Sequence, residues 1–136
     1  MIIKQLTPTL YVADQVTVDD MQTLQEQGFS TLINNRPDGE DERQPSAQEL
    51  KTAAQRAGFN YFYQPVVGSD IGPDDVATFS DIIDRAQGKV LAHCRTGTRC
   101  TMLWVLSQSG KQSPDDILET ASQAGYKLEW LRDQLI

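Results

Sequence analysis

The stretch from Lys89 to Leu106 limits what this chain can fold into more than any other. Lys89-Val90-Leu91-Ala92 reads as a buried strand, and it runs directly into His93-Cys94-Arg95-Thr96-Gly97-Thr98-Arg99-Cys100. Met102-Leu103-Trp104-Val105-Leu106 then reads as a helix buried on most sides. A strand that turns straight into a buried helix is a unit of α/β architecture, because such a helix must lie against a sheet. The same alternation runs through the rest of the chain, with glycines where helices should stop: Gly28, Gly58, Gly88, Gly110 and Gly125.

Leu10–Ala13 is a short strand candidate, followed by a helix that Thr17 can cap and that carries Val18, Met21 and Leu24 on its apolar side. Ser30–Asn34 is a second strand, opening into the polar loop from Asn35 to Arg43. Ser46-Ala47-Gln48-Glu49 has the form of a capping box and predicts a helix to Ala57. Tyr61–Val66 is a third strand, and Gly72-Pro73 opens a helix whose Val76, Phe79, Ile82, Ile83 and Ala86 share a face. Ser113-Pro114 starts a final helical stretch carrying Leu128, Leu131 and Leu135. The prediction is one α/β domain over residues 1–136: a three-layer sandwich with a short, mainly parallel central sheet flanked by helices. The turn at residues 92–100 falls at the carboxyl end of a central strand, where such sheets bind ligands.

Composition narrows the partners. A net charge of −7 argues against nucleic acid and against docking on an anionic membrane. Two Cys and one His make neither a four-ligand zinc site nor a disulfide framework, so no metal or cofactor is assigned. With no apolar run of membrane-spanning length and no basic-then-apolar leader, the expected location is cytoplasmic.

The turn itself carries the chemistry. A Cys reacts as thiolate, and a position before a helix N-terminus beside Arg aims amides and positive charge at its sulfur. Cys94 is therefore the candidate nucleophile. Gly97 permits backbone angles that let the N–H groups from Arg95 to Cys100 converge on one anion, with Thr96 and Thr98 as possible hydroxyl donors. Arg99 is expected to grip two oxygens of that anion, whereas Arg95 adds field or points to solvent. The plain alternative is a structural Cys with surface arginines. Cys100 either acts as a second, resolving thiol or fills a small packed space. His93 should point to the opposite face of the strand from Cys94, where it hydrogen-bonds backbone and orders the loop. Arg36, with Asp38 and Glu40, either lines the pocket rim or forms solvated ion pairs. Trp104 and Trp130 are expected as core or interface anchors.

The order of elements resembles the phosphatase-like domain of the beta-lactamase-hydrolase-like family. The resemblance rests on Tyr11-Val12-Ala13-Asp14-Gln15, the stretch from Leu32 to Glu40, and the late His93-Cys94 loop, and it spans residues 3 to 110. It implies the cysteine phosphatase fold of the dual-specificity type. It also implies Cys94 as nucleophile, His93 as the preceding His, Arg99 as the anion-binding Arg, and a partner of the persulfide dioxygenase type, to which members of the family are sometimes fused. One departure stands out. Protein tyrosine and dual-specificity phosphatases carry one more residue between Cys and Arg than the four found here, and Cys94-Arg95-Thr96-Gly97-Thr98-Arg99 is similar to the shorter loop of rhodaneses.

Loop length makes sulfur transfer the leading expectation: Cys94 takes sulfur from thiosulfate or a persulfide and passes it to an acceptor thiol. The alternative is a phosphatase-like hydrolase acting on a phosphate ester through phosphocysteine. Its general acid would be Asp70, with Asp74 or Asp75 as fallback, although aspartates beside Gly72-Pro73 are also expected as helix caps. A non-catalytic oxyanion-binding module is third.

Overall fold

Four of the five strands lie parallel in the computed structural model, which describes residues 1–136. They are β1 (Ile3–Gln5), β2 (Leu10–Ala13), β3 (Phe29–Asn34), β4 (Asn60–Tyr63) and β5 (Lys89–His93), in the sheet order β1-β2-β5-β3-β4. Only β1, on the edge, runs antiparallel to its neighbour. His93 is in register with Ala13 on one side and Asn34 on the other. The Cys94 loop thus leaves the middle of the sheet at its carboxyl edge.

Successive residues of β5 serve opposite faces. Leu91 packs with Leu32, Leu24, Leu50 and Ala54 beneath α1 (Met21–Glu26) and α2 (Ala47–Arg56). Val90 and Ala92 pack with Phe79, Leu103, Trp104 and Ile117 beneath α3 (Pro73–Arg85), α4 (Thr98–Ser107) and α5 (Pro114–Gln123). These are the three expected layers. Helix α4 has a run of buried residues from Cys100 to Val105, as its apolar sequence requires.

The differences from expectation are local. Strand β1 carries only three residues, two of them exposed, and so lacks a readable alternation. Val18 belongs to a 3-10 turn (Val18–Asp20) before α1 and is exposed, because Asp20 accepts from both the N–H and the hydroxyl of Thr17 and tightens the helix entry. The third expected strand stops at Tyr63, two residues before Pro65, which has no N–H for the ladder. Leu128 and Leu131 reach the core from a separate stretch, Leu131 within a 3-10 segment (Glu129–Gln134), since α5 ends at Gln123 and Gly125 follows at φ +102°.

Candidate active site

The loop from Cys94 to Arg99 curls around the Cys94 sulfur. Gly97, at φ +89°, is the N-cap of α4, and its N–H donates to Cys94 Sγ at 3.1 Å. The cysteine is 1% exposed. Its thiol is nevertheless acidified, to about 5 from an ordinary 9.0, first by a hydrogen bond from the Cys100 side chain and then, against the opposing cost of burial, by the backbone amides of Cys100, Thr96 and Arg99. Amides that favour a thiolate are also the donors an incoming oxyanion would meet.

Cys100 is fully buried, and its own thiol is pushed well above the ordinary value by burial and by the neighbouring Cys94 charge. The two sulfurs are thus unequal: one is poised to ionise while the other stays protonated and donates. Cys100→Ala is expected to raise the Cys94 titration midpoint by about one pH unit, the worth of a modest charge-assisted hydrogen bond, while Cys100→Ser holds it near the native value. Thiolate absorbance against pH checks both variants.

Arg99 is held rather than free. Its Nη1 and Nη2 donate to Glu40 Oε2 and Oε1 at 2.8 and 2.9 Å, and Nη1 also donates to the Val66 carbonyl at 3.0 Å. Glu40 Oε1 accepts in turn from Arg36 Nε at 2.9 Å, and Arg36 Nη1 donates to Gln15 Oε1 at 3.0 Å. Glu40 therefore sits between two guanidinium groups. The Arg99 bond foremost, aided by Arg36, lowers its carboxyl to about 2 despite the opposing effect of burial. Arg36 is buried, so of the two expectations for it neither the rim nor a solvated pair is right. It braces the acid that braces Arg99.

The remaining predicted residues divide. Arg95 is exposed at the surface of the loop. Thr96 and Thr98 pair with each other through their hydroxyls at 2.9 Å, and Thr98 N–H adds a long bond to Thr96 Oγ1. One hydroxyl donates to the other, which leaves the second hydroxyl hydrogen available to a ligand. His93 lies on the face away from Cys94, as the strand alternation requires, but neither ring nitrogen has a partner within the protein. Burial first, then the Arg36 charge, lowers it to about 3, so the ring is neutral, and the expected hydrogen bond to backbone is not made. Its backbone carbonyl accepts from Asn35 N–H at 2.8 Å.

Asp70 is exposed in the loop after β4, its N–H bonded to the Val67 carbonyl at 2.9 Å. Asp75 is a helix cap, accepting from Gly72 N–H at 2.9 Å. Gly68 and Ser69, of the Asp70 loop, join Thr98, Arg99, Met102 and Trp130 around a cleft of about 590 Å³. Trp104 is core, whereas Trp130 is 61% exposed on the cleft wall.

Residues 2–111 match the family model described as beta-lactamase hydrolase-like protein, phosphatase-like domain. The chain belongs to that family. A beta-lactamase hydrolase-like protein of Xylella fastidiosa (strain Temecula1) is 34% identical over the full chain. The chain spans about a third of the length of the curated relatives it matches, 33% in this case. A crystal structure of a candidate phosphatase from Neisseria meningitidis is 40% identical, with a TM-score of 0.88 over 98% of this chain and 96% of that one. The core catalytic domain of a PP-IP phosphatase of Saccharomyces cerevisiae shares the fold alone: 17% identity, TM-score 0.72, covering 98% of this chain and 85% of that one.

This phosphatase-like domain thus has the cysteine phosphatase fold the sequence predicted. The comparisons favour the hydrolase over the sulfurtransferase that loop length had put first. Two residues of the site escaped a role in the sequence reading. Glu40 was seen only as one of several charges in a polar loop, though a buried-edge Arg needing an acid opposite it is the signal that would single it out. Tyr126, whose hydroxyl donates to the Thr96 carbonyl at 3.0 Å, carries no local pattern at all. No helix is long and apolar enough to cross a membrane.

Proposed function

We propose that this domain hydrolyses phosphate monoesters through a phosphocysteine on Cys94. The carrying observation is the acidified Cys94 sulfur ringed by backbone amides, next to an Arg99 fork locked by Glu40. The family and the fold neighbours support the same reading. Cys94 thiolate attacks phosphorus, the ester oxygen leaves, and the S–P bond formed is then broken by water to release inorganic phosphate and the thiolate. Loop amides and Arg99 hold the phosphoryl oxygens as charge spreads over them. Asp70 delivers the proton to the departing oxygen from the loop whose Gly68 and Ser69 border the cleft, which has room for the alcohol part of the ester.

Hydrolysis of an aryl phosphate by native protein and by Asp70→Asn tests this. Asp70→Asn is expected to lower kcat about a hundredfold for a poor leaving group and much less for an activated one, the signature of a lost general acid. Equal effects on both esters would remove Asp70 from the reaction. A native protein that hydrolyses no ester, yet gains one sulfur atom on Cys94 from thiosulfate by intact mass, would overturn the proposal in favour of sulfur transfer, the reading that the four-residue spacing between Cys94 and Arg99 suggests.

A further inference from the structure

We propose that Tyr126 is a positioning residue of the anion loop: its hydroxyl fixes the plane of the Thr96–Gly97 peptide so that the Gly97 N–H faces the Cys94 sulfur. Both bonds belong to one peptide unit. Tyr126 Oη donates to the Thr96 carbonyl at 3.0 Å, and the N–H of the same unit donates to Cys94 Sγ at 3.1 Å. In a planar trans peptide the C=O and N–H point in opposite directions, so holding one end aims the other.

Thr101 holds the Gly97 carbonyl through its N–H and hydroxyl, and Thr98 holds the Thr96 hydroxyl, but the Thr96 carbonyl of this unit accepts from Tyr126 alone. Thr96 is exposed, and the Gly97 side of the unit has the freedom of a glycine at φ +89°. A flip would replace the N–H with a carbonyl oxygen and turn a partial negative charge toward the thiolate and any bound anion. Accepting from Tyr126 also polarises the amide and strengthens its N–H as a donor.

Packing gives independent evidence. A Cβ at position 97 would stand 2.2 Å from Tyr126 Oη, 3.0 Å from its Cζ and 3.4 Å from the Ala13 carbonyl. The phenol therefore lies directly on the loop, and Gly97 is required both for its backbone angle and for this approach. The ring is brought there by the turn after α5, where Gly125 adopts φ +102° and Tyr126 N–H donates to the Ala121 carbonyl at 2.9 Å. Burial first, then the Cys100 and Cys94 charges, push the phenol up to about 12, so it remains a donor wherever the enzyme could work. Tyr126 lies beyond the residues 2–111 that define the family match, which makes the last part of this chain a working part of its loop.

The inference rests on Cys94 being the reactive thiol, and its test does not use turnover, so it stands or falls apart from the choice of substrate. In Tyr126→Phe the ring remains and one half-exposed oxygen is lost, a change that leaves folding intact. The rate of iodoacetamide alkylation at Cys94, located by peptide mass, is followed against pH in both proteins alongside Tm. The midpoint is expected to rise by about one pH unit in Tyr126→Phe at native Tm, so that alkylation at pH 5 slows about fivefold. An unchanged or lower midpoint overturns the proposal, and so does a rise that appears only together with a lowered Tm.

Discussion

Cys94→Ser is expected to cut phosphate ester turnover by at least about three orders of magnitude while leaving the fold and oxyanion binding in place. Oxygen is the smaller atom and fits within the space that sulfur fills, so the Gly97 amide that meets the sulfur at 3.1 Å has a hydroxyl acceptor in its place. What is lost is ionisation. The same surroundings that bring the thiol to about 5 act on an alcohol whose ionisation begins far higher, so the hydroxyl stays neutral throughout the working range. Inorganic phosphate should still protect the Cys94→Ser protein against thermal unfolding, which separates lost chemistry from a lost site. Retained turnover would place the nucleophile elsewhere.

The pH profile follows from the same shift. Below about pH 5 the thiolate takes a proton, and kcat/KM should fall about tenfold for each further pH unit. Stability follows the same sign. The folded thiol has a lowered pKa, so its contribution is complete only above the unfolded value of 9.0 and is lost as pH falls through the folded value near 5. Thermal melts of native and Cys94→Ala protein should therefore converge at the acid end of that window.

The segment from Lys89 to Leu106 was legible because every local signal agreed: a short apolar strand, a Gly where the chain must turn, and an apolar helix behind it. The Ser46–Glu49 capping box was equally clear, and the Glu49 N–H does donate to Ser46 Oγ at 3.1 Å. Loop length points to sulfur transfer, whereas the family and the fold neighbours fit the hydrolase better. The missing residue does not stop the loop from wrapping the sulfur, since the Gly97 N–H still reaches it. The contacts that escaped are long-range and chemically ordinary: Glu40 meets Arg99 across 59 positions, and Tyr126 meets Thr96 across 30. Neither pair has a spacing rule, because only the folded sheet edge brings the β3–α2 loop and the turn after α5 to one place. His93 misled for a different reason. Strand alternation places the ring on the face away from Cys94, as expected, yet both ring nitrogens are buried there without a partner, and burial together with the Arg36 charge keeps the ring neutral.

Arg99→Lys is the second change with a large expected effect, lowering kcat/KM about a thousandfold with little change in Tm. Lysine keeps the charge but loses the planar fork that now lies against both oxygens of Glu40. An ammonium cannot hold Glu40 through two parallel bonds and still present donors in a fixed plane to a phosphoryl group. Glu40→Gln makes the complementary test. It leaves the Arg99 fork one neutral oxygen to lean on, so the fork loosens without losing its own chemistry, and kcat/KM should fall only about tenfold. It also strips the buried Arg36 of its charged partner, leaving Gln15 alone, so Tm should fall further than in Arg99→Lys. The acid limb distinguishes the two groups. Glu40, held near 2, keeps its charge well below the point where Cys94 is protonated, so loss of activity near pH 5 reports the thiol and not the brace. An Arg99→Lys protein with near-native kcat/KM would mean that the fork holds Glu40 and Val66 together but does not touch the transition state.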